Sequence, residues 1–290
     1  MSKLSVIVPS RNELFLPQTV NDLLTKASGE IEVIVVLDGY WPDPPLPEHN
    51  NLVVLHRGTP RGMRSAINSA SGIARGKYLM KCDAHCMFAE GFDEVLKADC
   101  DDDWVVIPRR KRLDAENWKI ADPDRLPIDY EFLGYPYRKE GHVGIHGTVW
   151  GKRTQERIDK PEYDIDDNMS FQGSCWFTTK DHFWNMIEGL QEEGYGTFIG
   201  EPQEVGLKTW LSGGRLIVNK KTYYAHLHKG KTYGRGYFMN RNETSAGNLY
   251  SCHYWMENKW EKRKYDISWL VEKFWPVPDW PEDRSLWKMR

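Results

Sequence analysis

Along the first third of the chain, continuous apolar runs take turns with segments in which apolar residues recur at helical spacing. Nearly continuous runs of Val, Ile and Leu predict buried parallel strands at 4–10, 31–38, 51–57 and 76–82. Between them, apolar residues at helical spacing predict helices over 16–27 and 63–74. This order predicts an α/β fold with a mostly parallel central sheet and helices on both faces.

The pattern becomes less regular after the next predicted strand, 101–110. The segment of about 109–170 is rich in charges, prolines and aromatic residues and predicts long loops, which we interpret as a functional insertion. Regular spacing then returns as predicted strands at 171–179, 215–219 and 222–228 and predicted helices at 183–190 and 200–214. Pro202 in the first turn and Gly213 past the end favour the second helix.

The last 45 residues differ in character from the rest. Six of the thirteen tryptophans lie there, namely Trp255, Trp260, Trp269, Trp275, Trp280 and Trp287. We predict a main domain over 1–245 and a Trp-rich extension over 246–290 that docks onto it. A sugar-stacking or partner-binding surface is the alternative interpretation of these rings.

Composition limits the classes of protein that fit. The formal net charge of −3 argues against a surface that is basic overall, as nucleic acid or an anionic membrane would require, although a local basic patch is compatible with it. The apolar run near the N-terminus is too short for a signal peptide, and no stretch is long enough to span a membrane. We therefore expect a cytoplasmic protein. The five cysteines form no CxxC pair, so they indicate neither a disulfide framework nor a zinc ribbon.

Polar side chains follow three of the predicted strands. Arg11 and Glu13 come after the first strand, Asp38 ends the second, and Asp83 follows the fourth. In open α/β sheets, ligands bind at the carboxyl ends of the strands. The sequence therefore predicts one binding site that collects these groups.

The motif Asp83-Ala84-His85 suggests metal chemistry. Alternate residues of a strand project to one side, so the carboxylate and the imidazole can share one cation. A carboxylate with imidazole favours Mn²⁺ over Mg²⁺, which is the alternative. A polar turn or a zinc site with the flanking cysteines are the competing interpretations. A third ligand is expected from His226 or His228, which lie two residues apart on a later strand.

Three stretches resemble the motifs of GT-A glycosyltransferases of family 2, namely "SVIVPSRNE", "VIVVLDG" and "RGMRSAINSASGIARGKYLMKCDAH". The sequence "DAHC" is most similar to the Asp-x-His-Cys motif of the polypeptide N-acetylgalactosaminyltransferases. The resemblance covers about residues 4–230. It implies a GT-A fold, a nucleoside-diphosphate sugar as donor, UDP-sugar being favoured, and a metal held by Asp83, His85 and His226. The chain departs from that family at Phe198-Ile199-Gly200 and Pro202, which replace its Trp-Gly-Gly and Asn.

The resemblance and the residue types together suggest roles for further side chains. The expected donor-binding residues are Pro9, Arg11, Glu13, Asp38, Arg61, Arg64, Ala84, Lys229, Lys231 and Arg235. Asp38, Arg11 and Glu13 are assigned to the base and ribose. Lys229, Lys231 and Arg235 lie among glycines and predict a mobile, positively charged lid over the diphosphate. Glu201 and Glu204, three apart at a helix start, are the candidate catalytic bases.

The residue pattern is compatible with several acceptors and with either stereochemical outcome. A saccharide, a peptide or a modified nucleic acid base would each supply the acceptor group. The run Arg109-Arg110-Lys111-Arg112 is either a solvated surface or a grip on a phosphorylated acceptor. A nucleotidyltransferase is a second hypothesis, but the chain lacks a glycine-rich loop after its first strand. A nucleotide-sugar binding protein without catalysis is the third.

Overall fold

The structure is a computed structural model that describes residues 3–137 and 143–287. Its strands are β1 Leu4–Ser10, β2 Ile31–Asp38, β3 Leu52–Arg57, β4 Tyr78–Cys82, β5 Cys86–Phe88, β6 Trp104–Asp114, β7 Lys119–Ile120, β8 Glu131–Leu133, β9 Gly147–Val149, β10 Ile165–Asp167, β11 Cys175–Thr179 and β12 Arg215–His226. Its α-helices are α1 Leu16–Lys26, α2 Met63–Ile73, α3 Phe92–Ala98, α4 Gly151–Arg157, α5 Glu201–Ser212, α6 Gly230–Tyr233, α7 Arg241–Met256 and α8 Ile267–Phe274.

The first four strands form the parallel half of the sheet, as predicted. β1 lies between β2 and β4, and β3 continues the sheet beyond β2. Alternate residues of β1 serve different cores: Ile7 packs with α2, whereas Val6 and Val8 pack with α1 and α3. Each fully buried Val or Ile of this kind stabilises the fold by about 1.5–3 kcal/mol. The α/β class is confirmed.

Antiparallel strands complete the sheet, which is therefore mixed. β11 runs antiparallel between β4 and β6, and β12 pairs parallel with β6 on its other side. The short β5 pairs antiparallel with β12, opposite the end that carries His226. This pairing brings the end of β12 to the segment that follows β4.

Three local predictions were wrong. The strands expected at 215–219 and 222–228 form the single strand β12, whose pairing with β6 shifts between Asn219 and Tyr223. β6 continues to Asp114, beyond the predicted start of the loops, because β12 pairs with it as far as Arg112 and β7 pairs with its last two residues. The helix expected at 183–190 is one short π-helical turn, His182–Met186. Residues 138–142 of the predicted insertion lie outside the described residues.

The tryptophans of the C-terminal segment lie mostly in the interior. Trp255, Trp260, Trp280 and Trp287 are buried in the same core as α2 and α5. The indole of Trp280 donates to the carbonyl of Leu133 at 2.6 Å. These rings thus contribute to the main core, while the division into two domains stays a prediction. None of the helices in the described ranges is both long and apolar enough to cross a bilayer.

Candidate active site

A cavity of about 650 Å³ opens at the carboxyl ends of β1, β2 and β4. The sequence analysis predicted a binding site at this edge of the sheet, formed by the polar residues that follow the strands. The predicted site residues that line the cavity are Pro9, Arg11, Glu13, Asp38, Asp83, Ala84, His85, His226, Lys229 and Arg235. Its size suits a ligand of several hundred cubic ångströms, such as a nucleotide with a sugar.

The cavity contains a cluster of three candidate metal ligands. The ligand atoms of Asp83, His85 and His226 all lie within 4.8 Å of one another. His226 Nε2 is 3.1 Å from His85 Nε2 and 3.3 Å from Asp83 Oδ2. Adjacent ligands of an octahedral ion, each about 2.1 Å from it, lie about 3 Å apart. The spacing therefore fits one divalent cation.

The local backbone of the motif differs from the prediction. β4 ends at Cys82, and Asp83 and His85 lie in a tight turn before β5 rather than along a strand. They converge because the turn folds them together and not because strand residues alternate. His226 joins them because β5 pairs with β12, which sets His226 opposite Cys86.

The electrostatics of the cluster favour the protonation states that bind metal. Burial alone would raise the pKa of Asp83, but Lys81, whose Nζ lies 2.7 Å from Oδ1, and the two histidines lower it well below its usual value. The carboxylate is therefore ionised. Burial, together with the positive charge that His85 can carry, lowers the pKa of His226 to about 4 against the opposing effect of Asp83. His226 is a neutral imidazole at pH 7, as a metal ligand must be.

Glu13 supports this cluster from behind. Its Oε2 lies 3.2 Å from His85 Nδ1 and 2.5 Å from Lys229 Nζ. Burial raises the pKa of Glu13, yet contacts with His85 and Lys229 outweigh it and lower the pKa overall. An ionised carboxylate only accepts hydrogen bonds, so Nδ1 of His85 donates to Glu13, and this contact holds the ring with Nε2 toward Asp83 and His226. The sequence assigned Glu13 to the nucleotide, whereas its contacts are with His85 and Lys229.

The side chain of Asp38 is hydrogen-bonded to the backbone of the loop that precedes α2. Its two oxygens accept from the backbone N–H groups of Arg61 and Gly62 at 2.9 and 2.8 Å, and Arg57 lies 3.3 Å away. The carboxylate therefore stabilises the end of β2 and the start of α2. Arg61 contributes its backbone here, and its side chain is not among those that line the cavity. Gly62 has φ +90° and closely approaches Thr197, so a side chain would not fit.

Arg64 and Glu204 lie away from the cavity, in the protein interior. They form an ion pair with both side chains fully buried. Arg64 also donates to the carbonyls of Gln191 and Ile199, and Glu204 lies 2.7 Å from Lys208. Because these cations occupy both oxygens of Glu204, it is not free to accept a proton from an acceptor. The sequence suggested a nucleotide contact for Arg64, whereas in the structure Arg64 forms a buried ion pair with Glu204.

Glu201, the other predicted base, is buried beneath the cluster. It accepts a hydrogen bond from the Trp176 indole and lies 3.9 Å from Lys81, which in turn contacts Asp83. Burial raises the pKa of Glu201 despite the nearby cation. Its position indicates support for Lys81 rather than contact with an acceptor, because it does not line the cavity.

The segment after β12 covers one side of the cavity. Arg11 stacks over the ring of Tyr237, with 4.9 Å between the guanidinium and the ring centre, and Arg235 stacks over Phe198 at 4.7 Å. Lys231 is not among the lining residues. Sequence reasoning missed lining residues that no local pattern singles out, namely Gln172, Tyr237, Phe238, Asn240 and Glu243.

Comparison with known proteins identifies similar chains. Polypeptide N-acetylgalactosaminyltransferase 5 of Caenorhabditis elegans is 21% identical over 253 residues, which are 80% of this chain and 38% of that protein. The chain spans 36% to 38% of the length of the curated relatives it matches. The resemblance to polypeptide N-acetylgalactosaminyltransferases, first indicated by the motifs, is therefore confirmed.

Solved structures share the fold. The crystal structure of GalNAc-T7 with UDP, GalNAc and Mn²⁺ has a TM-score of 0.69 and 16% identity, and the match covers 94% of this chain and 56% of that one. Staphylococcus aureus TarS 1–349 in complex with UDP-GlcNAc has a TM-score of 0.52 and 15% identity, and the match covers 83% of this chain and 63% of that one. The GT-A fold is thereby confirmed.

The sequence model described as glycosyl transferase family 2 matches residues 5–156. The match includes β1, β2, the helix α2 and the turn that carries Asp83 and His85. It covers more than half of the chain and agrees with the relatives and with the fold. This chain belongs to glycosyl transferase family 2.

Proposed function

We propose that this protein transfers a sugar from a nucleoside-diphosphate sugar, with a UDP-sugar as donor, to a hydroxyl of an acceptor. The convergence of Asp83, His85 and His226 in the cavity is the observation that carries the proposal. These side chains would hold a divalent cation, with Mn²⁺ favoured by the two imidazoles. When bound, such an ion offsets the negative charge that develops on the departing diphosphate.

The residues around the ligands prepare the site for a highly charged donor. Lys81, buried beneath Asp83, holds that carboxylate ionised and in place. Glu13 fixes the ring of His85 with its Nε2 toward the other ligands. Lys229 and Arg235, which line the cavity, place positive charge where the diphosphate would lie. The chain therefore contributes orientation and charge balance rather than a nucleophile.

UDP release from a panel of UDP-sugars tests this proposal. We expect slow donor hydrolysis that requires Mn²⁺ and is weaker with Mg²⁺. Asp83→Ala removes a ligand and should abolish release while the protein stays folded. Asp159→Ala, which removes an exposed carboxylate outside the cavity, is the matched control and should retain full activity.

Two results would count against the proposal. The first is UDP release by Asp83→Ala at the rate of the unaltered protein. The second is Mn²⁺-dependent UDP binding, measured by calorimetry, without UDP release from any of the UDP-sugars, because that result identifies a binding protein without catalysis.

A further inference from the structure

A second pocket, of about 250 Å³, lies along the second half of β6. It is separate from the cavity that contains Asp83, His85 and His226, which we call the donor cavity. Its basic lining residues come from the run that the sequence singled out and from the loop after β7. They are Arg110, Lys111, Arg112 and Arg125, and the pocket also contains Asp122 and the apolar side chains of Leu126, Pro127 and Val149. The proposed donor chemistry does not use this pocket.

Positive charge in this second pocket exceeds negative charge. Among the described residues, Asp122 is its one lining carboxylate. Arg112 and Arg125 have no ion pair or hydrogen bond from their side chains to any described residue. Burial lowers the pKa of Arg112, and the positive charges of Arg125 and Arg110 lower it further, so these guanidiniums repel one another. Arg112 is half-buried and Arg125 is exposed, so both guanidiniums are open to an anion from solvent.

Arg110, which lines the pocket, has one buried N–H group without a hydrogen-bond acceptor among the described residues. Its side chain is 6% exposed, and its two terminal nitrogens donate to Gln172 and Glu131 at 2.6 and 2.8 Å. Its Nε is buried and has no partner among the described residues. A buried N–H without an acceptor is unfavourable by about 1–3 kcal/mol, so this side chain, which lines the pocket, has hydrogen-bonding capacity that its protein partners do not fill.

The second pocket and the candidate metal cluster are close neighbours. β6 pairs with β12, and in that pairing Arg112 lies opposite His226. Backbones of paired strands are about 4.8 Å apart. Gln172, the partner of Arg110, lines the donor cavity. A molecule held by the arginines therefore lies within reach of a sugar held in the donor cavity.

We propose that this pocket binds phosphate groups of a phosphodiester-linked acceptor chain, so that the acceptor hydroxyl extends toward the donor cavity. The proposal deepens the proposed function and rests on it for the transfer step. Guanidinium groups match phosphate oxygens through paired hydrogen bonds, and several cations along one strand suit a ligand with repeated charges. The donor's own diphosphate is served by the separate set around Asp83 and Lys229.

Binding of a fluorescein-labelled twelve-nucleotide oligothymidylate to the full chain tests the proposal by anisotropy across salt concentrations. The variant Arg112→Gln/Arg125→Gln should bind more weakly. The slope of log K against log salt should fall by about 1.4, or about 0.7 for each lost contact. Between 50 and 200 mM salt the unaltered protein should then lose about sevenfold more affinity than the variant. Lys160→Gln/Lys264→Gln removes the same charge from exposed sites elsewhere and should leave the slope unchanged.

Three further arms define the ligand. An abasic phosphodiester oligomer of equal length that binds as well as the oligothymidylate shows recognition of the backbone alone, as a polyol phosphate would provide. Tighter binding of the oligothymidylate shows added base contacts and identifies nucleic acid. A glutamate oligomer of equal charge that competes equally well overturns the preference for phosphate.

The outcomes separate this proposal from the proposed function. Mn²⁺-dependent UDP release should be unchanged in Arg112→Gln/Arg125→Gln, because neither residue lines the donor cavity. If UDP release is absent in every protein, the proposed function fails while the binding result still stands. If both double variants bind the oligothymidylate like the unaltered protein, the pocket is not the phosphate site and this inference is wrong.

Discussion

Glu13→Gln is the most informative single substitution in the candidate site. It keeps the size and shape of the side chain but removes the charge that contacts His85 Nδ1 at 3.2 Å and Lys229 Nζ at 2.5 Å. The Glu13 side chain is only 11% exposed, so water does not replace the lost interaction. We expect weaker metal binding, because the ring of His85 is no longer held with its Nε2 toward the other ligands.

The magnitude follows from the type of hydrogen bond. A hydrogen bond to a charged acceptor stabilises by about 1.5–3 kcal/mol and one to a neutral acceptor by about 0.5–1.5 kcal/mol. The difference of about 1–1.5 kcal/mol corresponds to roughly a tenfold increase in the Kd for Mn²⁺. This agrees with the 10- to 100-fold effects typical of residues that orient metal ligands.

Titration of the protein with Mn²⁺, followed by the electron paramagnetic resonance signal of free Mn²⁺, measures this Kd without any need for turnover. Glu162→Gln, an exposed carboxylate outside the cavity, is the matched control. The thermal unfolding temperature of Glu13→Gln without metal should differ little from that of the unaltered protein, which separates a local effect on the site from loss of the fold. An unchanged Kd for Mn²⁺ in Glu13→Gln would refute the role assigned to Glu13.

Further predictions concern the fold that supports the site. Burial lowers the pKa of His182 to about 4, below its unfolded value near 6.5, so its neutral form stabilises the protein above pH 6.5. This contribution to the free energy of unfolding, about 3 kcal/mol, should be lost as the pH falls from 6.5 through 4. Urea unfolding at several pH values measures it, and His182→Gln should show a smaller decrease in the free energy of unfolding at low pH. Gly62→Ala should destabilise by more than about 1 kcal/mol because of its φ of +90° and the close backbone of a neighbouring loop. Gly58→Ala, which meets open space, is its control and should unfold at nearly the original urea concentration. Arg64→Met should cost about 3–5 kcal/mol, and Arg64→Met/Glu204→Met/Lys208→Met, which removes every charge of this buried cluster, should recover much of it; equal stability of the single and triple variants would contradict a buried ion-pair cluster.

The parallel half of the fold followed from local sequence patterns. Each of its strands is a short apolar run, and such runs are stable only when both faces are covered by helices of the kind the spacing predicts. The metal motif was also visible, because Asp83 and His85 are close in sequence and their residue types are specific. The pairing with His226 came from the resemblance to a family rather than from a pattern in the chain.

Only the tertiary structure decided which charged residues face the cavity. Arg64 and Glu204 are 140 residues apart, and nothing local in the sequence indicates that they neutralise each other in the interior. Likewise, the turn at Asp83 meets β12 because the short strand β5, which follows that turn, pairs antiparallel with β12. The physical reason is that apolar periodicity reports burial, whereas the partner of a buried charge depends on contacts between distant segments. The sequence by itself therefore determined the parallel half of the sheet and the ligands Asp83 and His85, and the packing determined which charges remain available for chemistry.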